Sequence, residues 1–486
     1  MGTSENSAPD PHAPTVTESG SGRRAASRNG SKSFSAWRTR IAKMLKILGP
    51  GLITGAADDD PSGIATYSSV GAQFGYAMLW TMPFIYPFMA AIQEISARIG
   101  RVTGRGISAN LKHYYPRWLL YAIVVLLLFA NVVNLGADIG AMGAATNLLI
   151  GGPAWLYCIL VAIVSVTLQI WIPYRKYSKV LKWLTISLLA YVAAVFVVRV
   201  DWQEAIQGTF VPKISLTPSY LQAMVAIFGT TISPYLFFWQ SSEEVEEMRS
   251  SPKKKALKEA PRQGEAPLQR IRLDTYTGMA FSNLIGYFII LTVAVTLNAN
   301  GKTDIDSAQQ AAEALRPIAG QFAFLLFSLG IIGTGLLALP VLAGSAAYAL
   351  GEACGWPIGL GHRAAKAKAF YSVIGFATLI GLLLNFIGIN PIHALVWSAI
   401  VNGTTAAPIM GLMMFMASSR KVMGQFVLPN YLKILGWVST AIIGVRGPGD
   451  VVAERQVIDV VPNGNVRFCR EAATQNQPRA SALGHA

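Results

Sequence analysis

Three consecutive aspartates lie inside a stretch otherwise apolar enough to cross a membrane: Gly55 to Gly63 reads G-A-A-D-D-D-P-S-G. An acidic side chain at the centre of a membrane helix costs about 2.5–3.5 kcal/mol on insertion scales. Asp58, Asp59 and Asp60 together are therefore too expensive to be incidental. Pro61 removes a backbone donor, and Ser62-Gly63 weakens the helix further. The helix is expected to break here. Non-helical backbone at that depth survives only where protein buries it or a wet cavity borders it. A membrane-surface placement fails on position, because Gly51 and Leu52 precede the aspartates and a further apolar crossing follows almost at once. Carboxylates and freed carbonyls in such a cavity are oxygen ligands suited to a cation.

The rest of the chain supports a membrane setting. Of its 486 residues, 52% are hydrophobic and 13% charged, against about 25% charged in soluble domains. Eleven continuous apolar runs are expected to span the bilayer: 47–69, 75–97, 118–149, 154–173, 180–199, 219–242, 274–298, 319–350, 370–388, 392–416 and 431–445. The class is an all-α polytopic membrane protein; continuous rather than alternating runs disfavour a β-barrel. Of 40 Lys and Arg, 31 fall on the side of the N-terminus and only Arg199, Lys213, Lys302 and Arg316 on the other, with five after Val445. That asymmetry places the N-terminus in the cytoplasm and suits a multi-pass protein of the cell (inner or plasma) membrane. Residues 1–45 read as a disordered basic tail, 46–445 as the transmembrane domain and 446–486 as a polar tail. The net charge of +15 does not indicate nucleic acid, since the basic residues sit in short loops between spans. Cys158, Cys354 and Cys469 are far apart and form no metal or disulfide spacing.

A second break is expected in span 6, which reads F-G-T-T-I-S-P-Y from Phe228. Pro234 follows Gly229 and the hydroxyls of Thr230, Thr231 and Ser233. Spans 1 and 6 are five helices apart, and an odd offset reverses the direction of crossing. Spans 1–5 and 6–10 are thus expected to be inverted repeats, with an eleventh helix appended. Interrupted helices at matching places in two halves point to the central site of a transporter.

These segments resemble the Nramp divalent metal transporter family from about Gly49 to Met423. G-P-G-L-I-T-G-A-A-D-D-D-P-S-G (49–63) looks like the family's first helix with its Asp-Pro-Gly-Asn motif. G-A-Q-F-G-Y-A-M-L-W (71–80) and I-Q-E-I-S-A-R-I-G-R-V-T-G-R (92–105) are similar to the segments that follow. G-T-T-I-S-P-Y (229–235) takes the place of the sixth-helix Met-Pro-His motif, and S-R-K-V-M-G (419–424) that of the loop after helix 10. The resemblance implies the LeuT-type inverted-repeat fold, 5+5 helices, with helices 1 and 6 broken mid-membrane. It also implies a divalent cation as cargo rather than cofactor, and no enzymatic activity.

The departures define the expected site. The family's binding aspartate matches Asp60. Its asparagine is replaced by Gly63, its methionine by Ser233 and its histidine by Tyr235, and the alanine that offers a carbonyl aligns with Thr230. In helix 3 a family aspartate of the proton route matches Asp138, while nearby glutamates align with Asn131 and Ala141. Thioethers favour soft transition metals, whereas carboxylate, carbonyl and water suit Mg²⁺, Ca²⁺ and Mn²⁺. Mg²⁺ often keeps several waters and uses one or two carboxylates. Asp60, Asp59, hydroxyls and the space left by Gly63 fit a partly hydrated hard ion. The pattern looks like the Nramp-related magnesium transporter branch, with Mg²⁺ favoured and Mn²⁺ second. With Tyr235, Asn131 and Ala141 at positions where the family titrates, proton coupling is expected to be weak or absent.

Other groups admit two readings. Asp138 moves a proton or makes a polar contact between helices. Asn402, Thr404 and Thr405 face the ion path or bond between helices. Glu243, Glu244, Glu246 and Glu247 end span 6 in a solvated terminus or line a vestibule that attracts cations. Glu94 is expected to pair with Arg98 at i,i+4. His393 reads as structural, and Met410, Met413, Met414 and Met416 as packed or lipid-facing. An amino-acid or amine transporter on the same fold is the alternative function, and three aspartates would repel its substrate's carboxylate. An intramembrane enzyme is disfavoured by the lack of a zinc-protease motif or serine elbow.

Overall fold

The computed structural model describes residues 2, 54–55, 57–172, 187–250, 254–361 and 364–444. Apart from Gly2, the two expected tails lie outside the described residues, as do residues 47–53 of span 1 and 180–186 of span 5. The described residues are helices and loops without a strand.

Span 1 breaks where the sequence demands. Helical turns run through Asp58, and the chain is extended at Asp60 (φ −69°, ψ 170°). Helix α1 then starts at Pro61 and runs to Phe74 (Pro61–Phe74). Proline at the first helical position has its ring pre-set for the helix and lacks only an amide that would be unpaired anyway. After a turn, α2 (Thr81–Thr103) runs back, bent by 113° from the preceding segment. Next come α3 (Ile107–Tyr114), α4 (Arg117–Ile150), α5 (Ala154–Trp171), α6 (Leu189–Val195) and α7 (Trp202–Phe210).

The second half repeats the pattern. Helix α8 (Pro218–Thr231) stops at Ile232 and Ser233, and α9 (Pro234–Arg249) begins on a proline. Then follow α10 (Glu265–Thr296), the short α11 (Ala308–Glu313), α12 (Ala323–Cys354), α13 (Lys368–Leu384), α14 (Pro391–Ser418) and α15 (Asn430–Gly444). Seven helices among the described residues are long and apolar enough to cross a membrane, or eight if the bent pair of α1 and α2 is one span. Eleven were expected. The shortfall has plain causes: part of spans 1 and 5 lies outside the described residues, and α15 has only 15 residues.

Helix α1 is central, packed against α8, α10, α14 and α4. Helix α14 approaches α8 backbone to backbone: a Cβ on Gly229 would stand 2.5 Å from the Gly403 nitrogen. Small residues permit such approach where no hydrophobic effect drives helices together. Met410, Met413, Met414 and Met416 are buried, so they are packed rather than lipid-facing. Glu94 pairs with Arg98 at 2.7 Å.

Candidate metal site

Asp60 is the hinge of the site. It is the N-cap of α1, and its Oδ1 accepts from the Gly63 amide and the Ser62 hydroxyl, both at 2.8 Å. Its Oδ2 accepts from Asn134 Nδ2 of α4 at 3.0 Å and from the Tyr235 hydroxyl of α9 at 3.1 Å. The carboxylate therefore joins both broken spans to helix α4. Four donors satisfy the roughly four acceptor positions of a carboxylate. An incoming ion must take over at least one of them.

The neighbouring acids are also interior. Asp58, Asp59, Asp60 and Asp138 are no more than 2% exposed. Ser282 of α10 donates to Asp58 Oδ2 at 2.6 Å and faces Asp59 Oδ1 at 3.0 Å, while Asp58 Oδ1 has no hydrogen-bond partner. Neither oxygen of Asp138 has a hydrogen-bond partner. Among the described residues none of these four carboxylates forms an ion pair. Buried charges are normally paired or bind metal. No set of three or more His, Cys, Asp or Glu among the described residues is arranged to hold a metal. An ion here would need neutral oxygens to complete its shell.

Those oxygens come from span 6. Ser233 Oγ turns back onto α8, donating to the carbonyls of Gly229 (3.0 Å) and Thr230 (2.9 Å). Thr231 donates to the Ile227 carbonyl at 2.5 Å and meets the Tyr67 hydroxyl at 3.2 Å. Thr230 Oγ1 lies 3.5 Å from Ser62 Oγ. A Cβ on Gly63 would stand 3.3 Å from Thr230 Oγ1 and 3.6 Å from the Asp58 carbonyl. Gly63, Thr230 and Asp60 thus converge, with Ser62 between them.

The other expected residues are dispersed. Asn131 binds α12, donating to the Leu342 carbonyl (3.0 Å) and Ser345 Oγ (2.7 Å). Asn402 is fully buried with neither end of its amide hydrogen-bonded. Three contributors were missed: Asn134, Ser62 and Ser282. Asn134 was findable, since it stands three residues after Asn131 and four before Asp138, on one face of a helix.

The acidic end of span 6 is not a solvated terminus. Glu243 and Glu244 are buried. Arg270 of α10 pairs with Glu244 at 2.6 Å and with Glu247 at 3.0 Å. Glu246 accepts from the Tyr348 hydroxyl (2.5 Å) and the Leu360 amide (2.9 Å). These ion pairs and hydrogen bonds tie the end of α9 to α10 and α12. His393 bonds Asp306 at 3.1 Å, in keeping with a structural role. Beneath that contact a cavity of about 10 Å³ is lined by Ser68, Ala141, Ile305, Ala308, Ile392 and Leu395.

Two interrupted membrane helices meeting around buried carboxylates are the pattern of a transporter's central site. Comparison with known proteins agrees. The Nramp family, described as natural resistance-associated macrophage protein-like, matches residues 51–447. Divalent metal cation transporter MntH of Klebsiella pneumoniae strain 342 is 23% identical over 418 residues, covering 83% of this chain and 94% of that protein. The MntH of Pectobacterium carotovorum is 23% identical over 416 residues, with 84% and 94% covered. Among solved structures, a manganese transporter of Eremococcus coleocola superposes with a TM-score of 0.68 at 16% identity, covering 88% of this chain and 92% of that one. Mhp1, a nucleobase-cation-symport-1 family transporter, superposes at 0.52 with 12% identity, covering 84% and 92%. The chain belongs to the Nramp family. It is a multi-pass membrane protein of the LeuT-type inverted-repeat fold and a transporter, not an enzyme.

Proposed function

We propose that this chain imports divalent metal cations, Mg²⁺ first and Mn²⁺ second, by alternating access. The observation that carries the reading is the group of four buried carboxylates, without a basic partner among the described residues, at a helix break. The names of the relatives, divalent metal cation transporter and manganese transporter, agree with the cargo.

Asp60 is the main ligand and Asp59 an auxiliary one. Thr230 and Ser233 supply neutral oxygens, and Gly63 leaves room for a bound water. An oxygen-only set favours hard ions. Asp138, Tyr235, Asn131 and Asn402 border the path. All four carboxylates lie in the interior. A buried ion must therefore be released by rearrangement of the half-helices, which Pro61 and Pro234 already uncouple. The N-terminus is cytoplasmic, the membrane is the cell membrane, and 1–45 and 446–486 are tails outside the transport domain.

The test is uptake into proteoliposomes with Mg²⁺, Mn²⁺, Ca²⁺ and Cd²⁺ under a fixed potential, negative inside. Mg²⁺ and Mn²⁺ should accumulate. Uptake of none of the four would overturn the reading.

A further inference from the structure

The Asn134 side-chain amide, in contact with Asp60, is only half used. Asn134 lies on α4, is fully buried, and donates Nδ2 to Asp60 Oδ2 at 3.0 Å. Its carbonyl oxygen, Oδ1, has no hydrogen-bond partner. An unpaired buried amide oxygen is costly, on the order of 1–3 kcal/mol, and needs a reason.

We infer that Asn134 is a ligand of the transported cation through Oδ1, its amide turning over when the ion arrives. The inference rests on the proposed function and adds a residue to that site. The two ends of the amide are nearly equal in size, so a half-turn about the last side-chain bond exchanges them. With no ion, Nδ2 neutralises part of the Asp60 charge. After the half-turn Oδ1 stands where Nδ2 was, about 3 Å from Asp60 Oδ2. Two oxygens could not rest there unaided, because both carry negative partial charge. A cation between them removes the repulsion.

Mg²⁺ holds oxygens at 2.0–2.1 Å in an octahedron, so adjacent ligands stand about 2.9 Å apart. Asn134 and Tyr235 stand 3.0 and 3.1 Å from the same Asp60 oxygen, so an ion can take Asp60 Oδ2 and the turned Asn134 Oδ1 as neighbouring ligands without moving the helices. Asn134 should therefore contribute affinity.

The experiment uses the full chain in detergent, with Mn²⁺ and Mg²⁺ binding measured by calorimetry and uptake measured after reconstitution. Asn134→Leu keeps the size and removes both donor and acceptor. It should weaken Mn²⁺ and Mg²⁺ binding at least tenfold. Asn134→Asp keeps an oxygen at the same place and should bind Mn²⁺ at least as tightly as the parent, which also covers the case in which the leucine variant does not fold. Parent-like affinity in Asn134→Leu would overturn the inference, as would a tenfold loss in a folded Asn134→Asp. Asp60→Ala serves as the control for the parent reading. If it still binds ions, the whole site is misassigned; if it alone loses binding, only the role of Asn134 fails.

Discussion

Replacing Ser233 by methionine should open the site to soft metals. Ser233 Oγ donates to the carbonyls of Gly229 at 3.0 Å and Thr230 at 2.9 Å, and it caps none of the amides of α9. The hydroxyl has one proton to share between them, so together they contribute about 0.5–1.5 kcal/mol. Position 233 is 1% exposed, so the longer side chain adds about 1–3 kcal/mol of overpacking. The variant should therefore melt earlier, and its folded fraction is to be fixed by gel filtration before transport is compared. In exchange it gains a thioether, a ligand that prefers soft ions. The assay is block of Mn²⁺ uptake by Cd²⁺ in proteoliposomes. The parent should need Cd²⁺ well above the Mn²⁺ half-saturation level. The variant should need at least tenfold less Cd²⁺, about 1.4 kcal/mol of added affinity. Potent Cd²⁺ block of the parent would refute the argument. So would unchanged Cd²⁺ block in a folded, transporting variant.

Gly63→Ala should lower uptake severalfold without unfolding the protein, because its Cβ would stand 3.3 Å from Thr230 Oγ1 and take the room assigned to a water; parent-like uptake would show that Gly63 does not border the ion. Proton coupling should be weak or absent: an ion of charge +2 gains roughly 4.6 kcal/mol per 100 mV, about a 2,000-fold accumulation, from the potential alone. A pH-sensitive dye inside the vesicles, with potential clamped by potassium and valinomycin, should stay unchanged during Mg²⁺ or Mn²⁺ uptake. Acidification that depends on metal and disappears in Asp138→Asn would show the opposite and make Asp138 the carrier.

The helix breaks were legible because proline, glycine and charge inside an apolar run leave few alternatives. Of the three aspartates, Asp60 is the one that contacts both α4 and α9. What the sequence concealed were the partners brought in from far along the chain. Ser282 bonds Asp58 across 224 positions, and no local pattern marks a single serine in an apolar helix as a carboxylate's donor. Asn131 and Asn134 share one helix face, yet one turn decides that the first bonds α12 and the second bonds Asp60. The ion pairing of the acids that end α9 was hidden for a related reason. Their cation, Arg270, comes from α10, and local composition showed only a charged helix end.

The most direct measurement is Mg²⁺ and Mn²⁺ uptake by Asp60→Ala beside the parent chain, in matched proteoliposomes at a clamped potential. Removing the carboxylate deletes the cap of α1 and leaves Asn134 and Tyr235 without their acceptor. Among the described residues it also removes the one acid bonded to both α4 and α9. The account predicts that uptake falls to the level of empty vesicles while gel filtration shows a folded protein. Near-normal Mg²⁺ or Mn²⁺ transport in that variant would contradict it.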